Sequence, residues 1–183
     1  MLDWNAIYRS GRDFGELPEA IVDMILSYTD SDASKTFLDI GCGTGHLARL
    51  LHMKGYSGLG IDTSEEAIAL ARSRSGDIDY GVATISDEDG LLADSYGLIT
   101  CKHVYAFIAD KNLFLSKVAE QLEKEGTFVL LTPLIEDTLE KPGIAVDGTQ
   151  LRKDIDTFFS VSLDKKLKSG QLFILKLNGP QVI

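Results

Sequence analysis

An α/β fold is what this 183-residue sequence predicts: a doubly wound, mostly parallel seven-stranded sheet, helices on both faces and a C-terminal antiparallel hairpin. Three observations carry that expectation. Short apolar runs alternate with helix-periodic stretches from Phe37 to Thr132, the pattern of strands and crossover helices in a parallel sheet. The first run, Phe37–Ile40, breaks into glycines at alternate positions, Gly41, Gly43 and Gly45, before a helix begins at about His46. The tail then changes character, with two strand-like runs joined through Ser169-Gly170.

The elements follow in order. A stretch from Asp3 to Gly15 carries Trp4, Tyr8 and Phe14 and leads into a helix from about Pro18 to Tyr28. There Ile21, Ile25 and Tyr28 recur at helical spacing, and Val22 and Leu26 widen the stripe. A polar turn, Thr29 to Lys35, feeds the first strand. Next come a helix over His46–Met53, a strand over Gly58–Ile61, a helix over Glu65–Ser73 and a strand over Asp77–Gly81. A strand over Gly97–Cys101, a helix over Lys111–Glu123 and a strand over Gly126–Thr132 complete the alternation. A short helix, Thr149–Thr157, precedes the paired runs Phe158–Leu167 and Gln171–Leu177. There is no internal repeat and no low-complexity segment.

Composition narrows the function classes. Apolar residues make up 44% and charged residues 25%, values of a globular chain able to bury a core. No apolar run approaches the ~20 residues that span a bilayer, and the N-terminus is charged where a signal peptide is apolar, so the cytoplasm is expected and a membrane is not. The net charge of −10 disfavours nucleic acid, whose binding is driven by basic surfaces releasing counterions. The densest basic set, Lys165, Lys166 and Lys168, reads as a solvated strand face. The two cysteines, Cys42 and Cys101, are expected as free thiols near one another at strand ends. Three histidines and two cysteines show no metal-ligand spacing, so no metal is expected.

A strand, a glycine turn and a helix start form an elbow on which a nucleotide can lie, because glycine admits backbone angles closed to other residues and bares the main chain. The next strand ends at Asp62, 21 residues past Gly41, where an acidic side chain meets a ribose diol. A dinucleotide fingerprint would place its third glycine three residues after the second; here that position is His46. The Asp39-to-Gly45 run, D-x-G-x-G-x-G, instead resembles motif I of the class I S-adenosylmethionine-dependent methyltransferases, of the small-molecule type. The resemblance continues through Gly60–Ser64 and its helix, the Tyr96–Thr100 strand and the Leu122–Leu131 passage, in the family's order over nearly the whole chain.

The resemblance implies S-adenosylmethionine as cofactor and one domain over 1–183, with 1–30 as an N-terminal cap and helix, 36–132 as the cofactor-binding core and 149–178 as the helix and hairpin. It also implies that the last strand inserts between the fifth and sixth. Gly41, Cys42, Gly43 and Gly45 would pass beneath the methionine and ribose portions, and Asp39 would hold the methionine amino group or cap the glycine turn. Asp62 would bind the ribose, ahead of a helix-capping role for which Thr63 and Ser64 sit closer. The family's acidic adenine-reading residue is missing from Tyr80–Ile85, which leaves backbone at Ala83 and Thr84, or Asp87 from the next loop. Apolar packing on adenine would come from Ile61, Thr63 and Ile85.

Past the fourth strand, the loop from Cys101 borders the methionine end of the cofactor and the acceptor. His103 is the one histidine placed to act as a general base, with a loop histidine bonded to backbone as the alternative. Tyr105 would bind substrate or simply pack, and Lys102 is expected to face solvent. Trp4 and Tyr8 match a W-x-x-x-Y stretch that lids the cofactor in similar small methyltransferases, with Arg9 near enough to meet the cofactor carboxylate; one helical face pressed on the core is the other reading. The connection Pro133–Gly148 is modest, with Leu134, Ile135, Leu139 and Ile144 to wall a pocket, so a small organic acceptor with an O, N, S or C nucleophile is expected, on a monomer or homodimer. A non-catalytic cofactor-binding scaffold and a nicotinamide-dependent oxidoreductase are the rival classes; no Tyr-x-x-x-Lys set supports the latter.

Overall fold

In the computed structural model, β1 (Thr36–Ile40) lies inside the sheet, hydrogen-bonded in parallel to β2 (Ser57–Asp62) on one side and β4 (Tyr96–Lys102) on the other. The structure describes residues 2–14, 16–85, 95–137 and 142–179. β3 (Asp79–Val82) continues the sheet beyond β2, and β5 (Leu122–Thr132) lies beside β4, both parallel. The two C-terminal strands, β6 (Phe159–Leu167) and β7 (Gly170–Leu177), are antiparallel to each other. The order β3-β2-β1-β4-β5-β7-β6 places the last strand between the fifth and sixth, as the resemblance implies.

Near-continuous burial of β1 and β4 is what a parallel strand covered on both faces requires. One face carries α5 (Lys111–Gln121) and α6 (Gly148–Phe158), which set Phe114, Leu115, Val118, Leu151 and Ile155 against Leu38, Ile99 and Phe128. The other face carries α2 (Glu19–Leu26), α3 (His46–Met53) and α4 (Glu65–Arg74), with Val22, Ile25, Leu47, Leu51 and Ile68 against Phe37, Leu98 and Val129. Side-chain caps start three of these helices: Ser64, Asp110 and Asp147 each accept from a backbone N–H one turn on. The outer strand β6 is largely exposed and carries Asp164, Lys165 and Lys166, charges that discourage edge-to-edge pairing.

Most elements fall within two residues of the expected boundaries, and two departures are larger. The Asp3–Gly15 stretch contains a helix, α1 (Trp4–Arg9), capped by Asp3. The fifth strand begins at Leu122, four residues early, because Leu122 pairs with Tyr96 before the ladder shifts and resumes at Leu98 and Thr127. Glu123 is drawn there by Ser34, whose amide donates to it at 2.8 Å. No helix among the described residues is long and apolar enough to cross a membrane.

Candidate functional site

The carboxyl ends of β1, β2, β3 and β4 converge on the loop after β1. Gly41 and Cys42 both donate their amides to the Ile61 carbonyl, at 2.7 and 2.9 Å, which folds the loop over the end of β2. Gly41, Gly43 and Gly45 all have positive φ, at 67°, 55° and 77°, so the spacing reflects a conformational demand. A Cβ at Gly43 would lie 2.7 Å from the Tyr8 hydroxyl, and one at Gly45 2.5 Å from that of Tyr80.

Two carboxylates stand at adjacent strand ends. Asp62 accepts from the amides of Gly43 and Ser64, each at 2.9 Å, while Ser64 caps α4 through its own hydroxyl. Burial pushes the Asp62 carboxyl above its ordinary range, opposed by those amide bonds. Asp39 is 2% exposed; one oxygen accepts from the Thr100 hydroxyl at 2.7 Å, and the other is buried with no partner. Burial raises its carboxyl to about 6, with Thr100 and Lys102 pulling the other way. Such an orphaned acceptor is costly unless a donor arrives.

The remaining expected residues divide. Ala83 is buried and donates to the Asp62 carbonyl at 3.0 Å, whereas Thr63 and Thr84 are exposed beside it. Asp87 and Leu139 lie outside the described residues. Cys42 and Cys101 are both free and buried, and they pack in separate core clusters. Burial pushes both thiols up, keeping them protonated. His103 stands just past β4 with φ 60°, a strained value for a non-glycine residue, and its amide donates to the Leu131 carbonyl at 2.7 Å. Burial and the neighbouring Lys102 charge bring its imidazole down to about 4. Tyr105 is 0% exposed, edge-on to Phe114 and under Lys111, so it is placed in the core rather than against an acceptor. Its hydroxyl faces the Asp154 carboxylate without a hydrogen bond of normal geometry.

The N-terminal segment lies over this rim. Tyr8 is buried on Gly43, and Trp4 meets Phe14 and Phe107 edge-on at 6.3 and 5.0 Å. Asn5 accepts from the Ser64 hydroxyl at 2.7 Å and the Glu66 amide at 3.3 Å, pinning α1 to α4. Arg9 turns away from the strand ends: its guanidinium is 66% exposed and pairs with Glu66 at 2.8 Å. Asp13 accepts from Thr44 and Arg74, at 2.7 and 2.9 Å, and separates two grooves of about 330 and 540 Å³.

Lys102 does not stand where its place in the sequence predicts. The expected solvent-facing lysine is half-buried, with Nζ donating to the Phe14 carbonyl at 2.7 Å; burial lowers its pKa while Asp39 and Asp13 raise it. The signal available was parity: residues 100 and 102 share a strand face, and Thr100 pairs in register with Asp39. Asn5 and Asp13 had no local signal, because their partners are 31 to 61 residues away.

The glycine turn after β1 and the last strand inserted between the fifth and sixth give the α/β architecture of the class I methyltransferases. The chain belongs to the methyltransferase domain family, whose model matches residues 11–168, and S-adenosylmethionine is the cofactor of that class. It is 32% identical over 129 residues to the ubiquinone biosynthesis O-methyltransferase of Chelativorans sp. (strain BNC1), covering 66% of this chain and 50% of that protein. The chain thus spans about half the length of the curated relatives it matches. The fold is similar to that of DesVI from Streptomyces venezuelae, at 17% identity and TM-score 0.72 over 97% of this chain and 100% of that one. It is also similar to the magnesium protoporphyrin IX methyltransferase of Synechocystis PCC 6803 solved with bound SAM, at 17% identity and TM-score 0.65 over 94% and 87%.

Proposed function

We propose that the chain transfers a methyl group from S-adenosylmethionine to a small organic acceptor. The observation that carries this reading is the unpartnered, buried Asp39 oxygen beside a cradle of three positive-φ glycines: a site asking for a cationic donor next to bare main chain. The cofactor's ammonium and ribose diol are groups these residues fit. Bound there, S-adenosylmethionine supplies a sulfonium-activated methyl group open to in-line attack by the acceptor.

The chain's own residues then bind, orient and exclude water. Asp39 receives the ammonium on its free oxygen, and Asp62 turns remaining lone pairs to the ribose hydroxyls while Gly43 and Ser64 hold it in place. Gly41, Cys42, Gly43 and Gly45 support the methionine and ribose from below, and Thr63, Ala83, Thr84 and Cys101 line the edges. Tyr8 and Trp4 close over the loop, and Arg9 sits at the outer rim. His103, neutral above about pH 5, is the candidate to accept a proton or hydrogen bond from the acceptor. Positioning two reactants in this way contributes up to ~7–11 kcal/mol in favourable cases, so a strong base is not a requirement. Tyr105 supports the loop from the core.

The net charge of −10 favours a small molecule over nucleic acid as partner, and the same reading has the protein working in the cytoplasm as a monomer or homodimer. Calorimetric titration with S-adenosylmethionine, S-adenosylhomocysteine and NAD tests the cofactor, followed by a screen of phenols, amines, thiols and carboxylates for methyl transfer. Micromolar binding of the first two alone is expected, with turnover on one acceptor class. Binding of NAD alone would overturn the reading, and binding without turnover on any class would favour the non-catalytic scaffold.

A further inference from the structure

Asp39 and Lys102 stand on one face of the sheet at the ends of neighbouring strands. Asp39 is opposite Thr100 in the β1–β4 register, and Lys102 lies two residues further along the same strand, which returns its side chain to the same side. Each charge stabilises the other, yet the two form no ion pair. Each also has unused capacity. Asp39 keeps one buried oxygen without a donor, and Lys102 spends a single N–H on the Phe14 carbonyl at 2.7 Å, leaving two. An anion and a cation, side by side, desolvated and mutually unpaired, are the complement of a zwitterion.

We infer that Lys102 is the counter-ion of the amino-acid carboxylate of the cofactor, paired with Asp39 at the ammonium, so that the two residues together read the zwitterionic end of the ligand. This deepens the cofactor reading above and rests on it. Arg9, the residue expected from sequence to take that carboxylate, is committed to Glu66 on the surface of α4, whereas Lys102 is already on the face that Asp39 occupies. The Phe14 carbonyl gives Lys102 a second consequence. The same ammonium would hold both the ligand and the segment behind α1, so occupancy of the carboxylate position and closure of that segment share one residue. Charge-assisted bonds in a desolvated setting are the stronger kind, which makes the contribution measurable.

The test compares two ligands that differ only in the carboxylate: S-adenosylhomocysteine and its decarboxylated analogue, S-adenosyl-3-thiopropylamine. Calorimetry is run on the wild-type protein, Lys102→Met and Lys102→Arg. The expected result is a preference of about tenfold or more for S-adenosylhomocysteine in the wild type, worth a charged hydrogen bond. Lys102→Met should lose that preference, weakening S-adenosylhomocysteine by about tenfold more than the analogue, and Lys102→Arg should keep most of it. Equal weakening of both ligands by Lys102→Met would overturn the inference and leave Lys102 as an anchor for Phe14 only; so would a wild type that does not discriminate. Should Lys102→Met bind neither ligand, Lys102→Arg decides: a retained preference supports the assignment and a lost one overturns it. A wild type that binds neither ligand fails the cofactor reading itself, and the inference falls with it.

Discussion

Asp62 accepts a hydrogen bond from the Gly43 amide at 2.9 Å, across 19 residues of sequence, and so ties the loop after β1 to the loop after β2. Its second oxygen holds the Ser64 amide at the same distance. A residue expected from sequence as a ligand contact is therefore the clasp between the two loops. Asp62→Ala should lower stability by about 1–3 kcal/mol in the absence of ligand, because two buried amides lose their acceptor. Affinity for S-adenosylhomocysteine should fall in the same variant. Urea unfolding with and without ligand separates the two effects, and unchanged ligand-free stability would deny the clasp.

Asp39 carries an opposite trade. Its folded pKa, raised to about 6, lies above the ordinary value of 3.8, so the folded protein holds its proton more tightly than the unfolded chain. The penalty for a buried charge is then fully present above about pH 6 and is relieved as pH falls toward 4. Asp39→Asn keeps an acceptor for Thr100 and removes the charge. It should stabilise the ligand-free protein at pH 7 by up to about 3 kcal/mol, with little difference from wild type at pH 4, while weakening cofactor binding. Urea midpoints at the two pH values check the sign.

His103 should titrate near pH 4, with its ring signals constant from pH 8 to 5 in a two-dimensional NMR titration. Its folded pKa lies below the unfolded value of 6.5, so the group contributes stability above about pH 6.5 that is lost as pH falls through 4. The same residue holds φ at 60°. His103→Gly should relieve that strain and raise thermal stability by about 1 kcal/mol, while turnover drops with the lost imidazole. A fall in both would mean that the ring is structural.

Gly43→Ala meets two obstacles, a φ of 55° and the Tyr8 hydroxyl 2.7 Å from the new methyl. A cost of about 1–2 kcal/mol is expected from the backbone alone, and more from displacing Tyr8. Tyr8→Phe in the same chain should recover the second part. A double-mutant cycle on thermal unfolding reads that coupling, and strict additivity would separate Tyr8 from the loop.

Much of the fold was legible because its signals are local. The alternation of apolar runs, the glycine spacing and Asp62 at a strand end are each visible within a dozen residues, and the structure places them as those patterns imply. What escaped depends on residues far apart in sequence. Lys102 looks like any lysine at the end of a strand until Phe14 is folded over it from 88 residues away. Arg9 sits beside Tyr8 in the chain, yet a helix turns adjacent side chains about 100° apart, which sends one to Gly43 and the other to Glu66. Tyr105 follows the strand-end loop, but a single turn of 3-10 helix (Tyr105–Phe107) rotates its ring onto Phe114. The early start of β5 was hidden because Leu122–Glu125 continues a helical pattern and is captured by partners on β4 and at Ser34.

The position of β7 also sets an order of events during synthesis. Both of its neighbours, β5 and β6, leave the ribosome before it does, so a nascent chain reaching only Leu167 has five parallel strands and a bare hydrogen-bonding margin along Phe128–Thr132. That margin is flanked by Phe128, Leu130 and Leu131, side chains that later become wholly or almost wholly enclosed. The turn at Gly170 then delivers β6 and β7 as one folded-back ribbon, and the ribbon docks by its inner strand. Translation pausing within β7 would therefore leave that margin of β5 bare and adhesive, and the eight residues of β7 cover it.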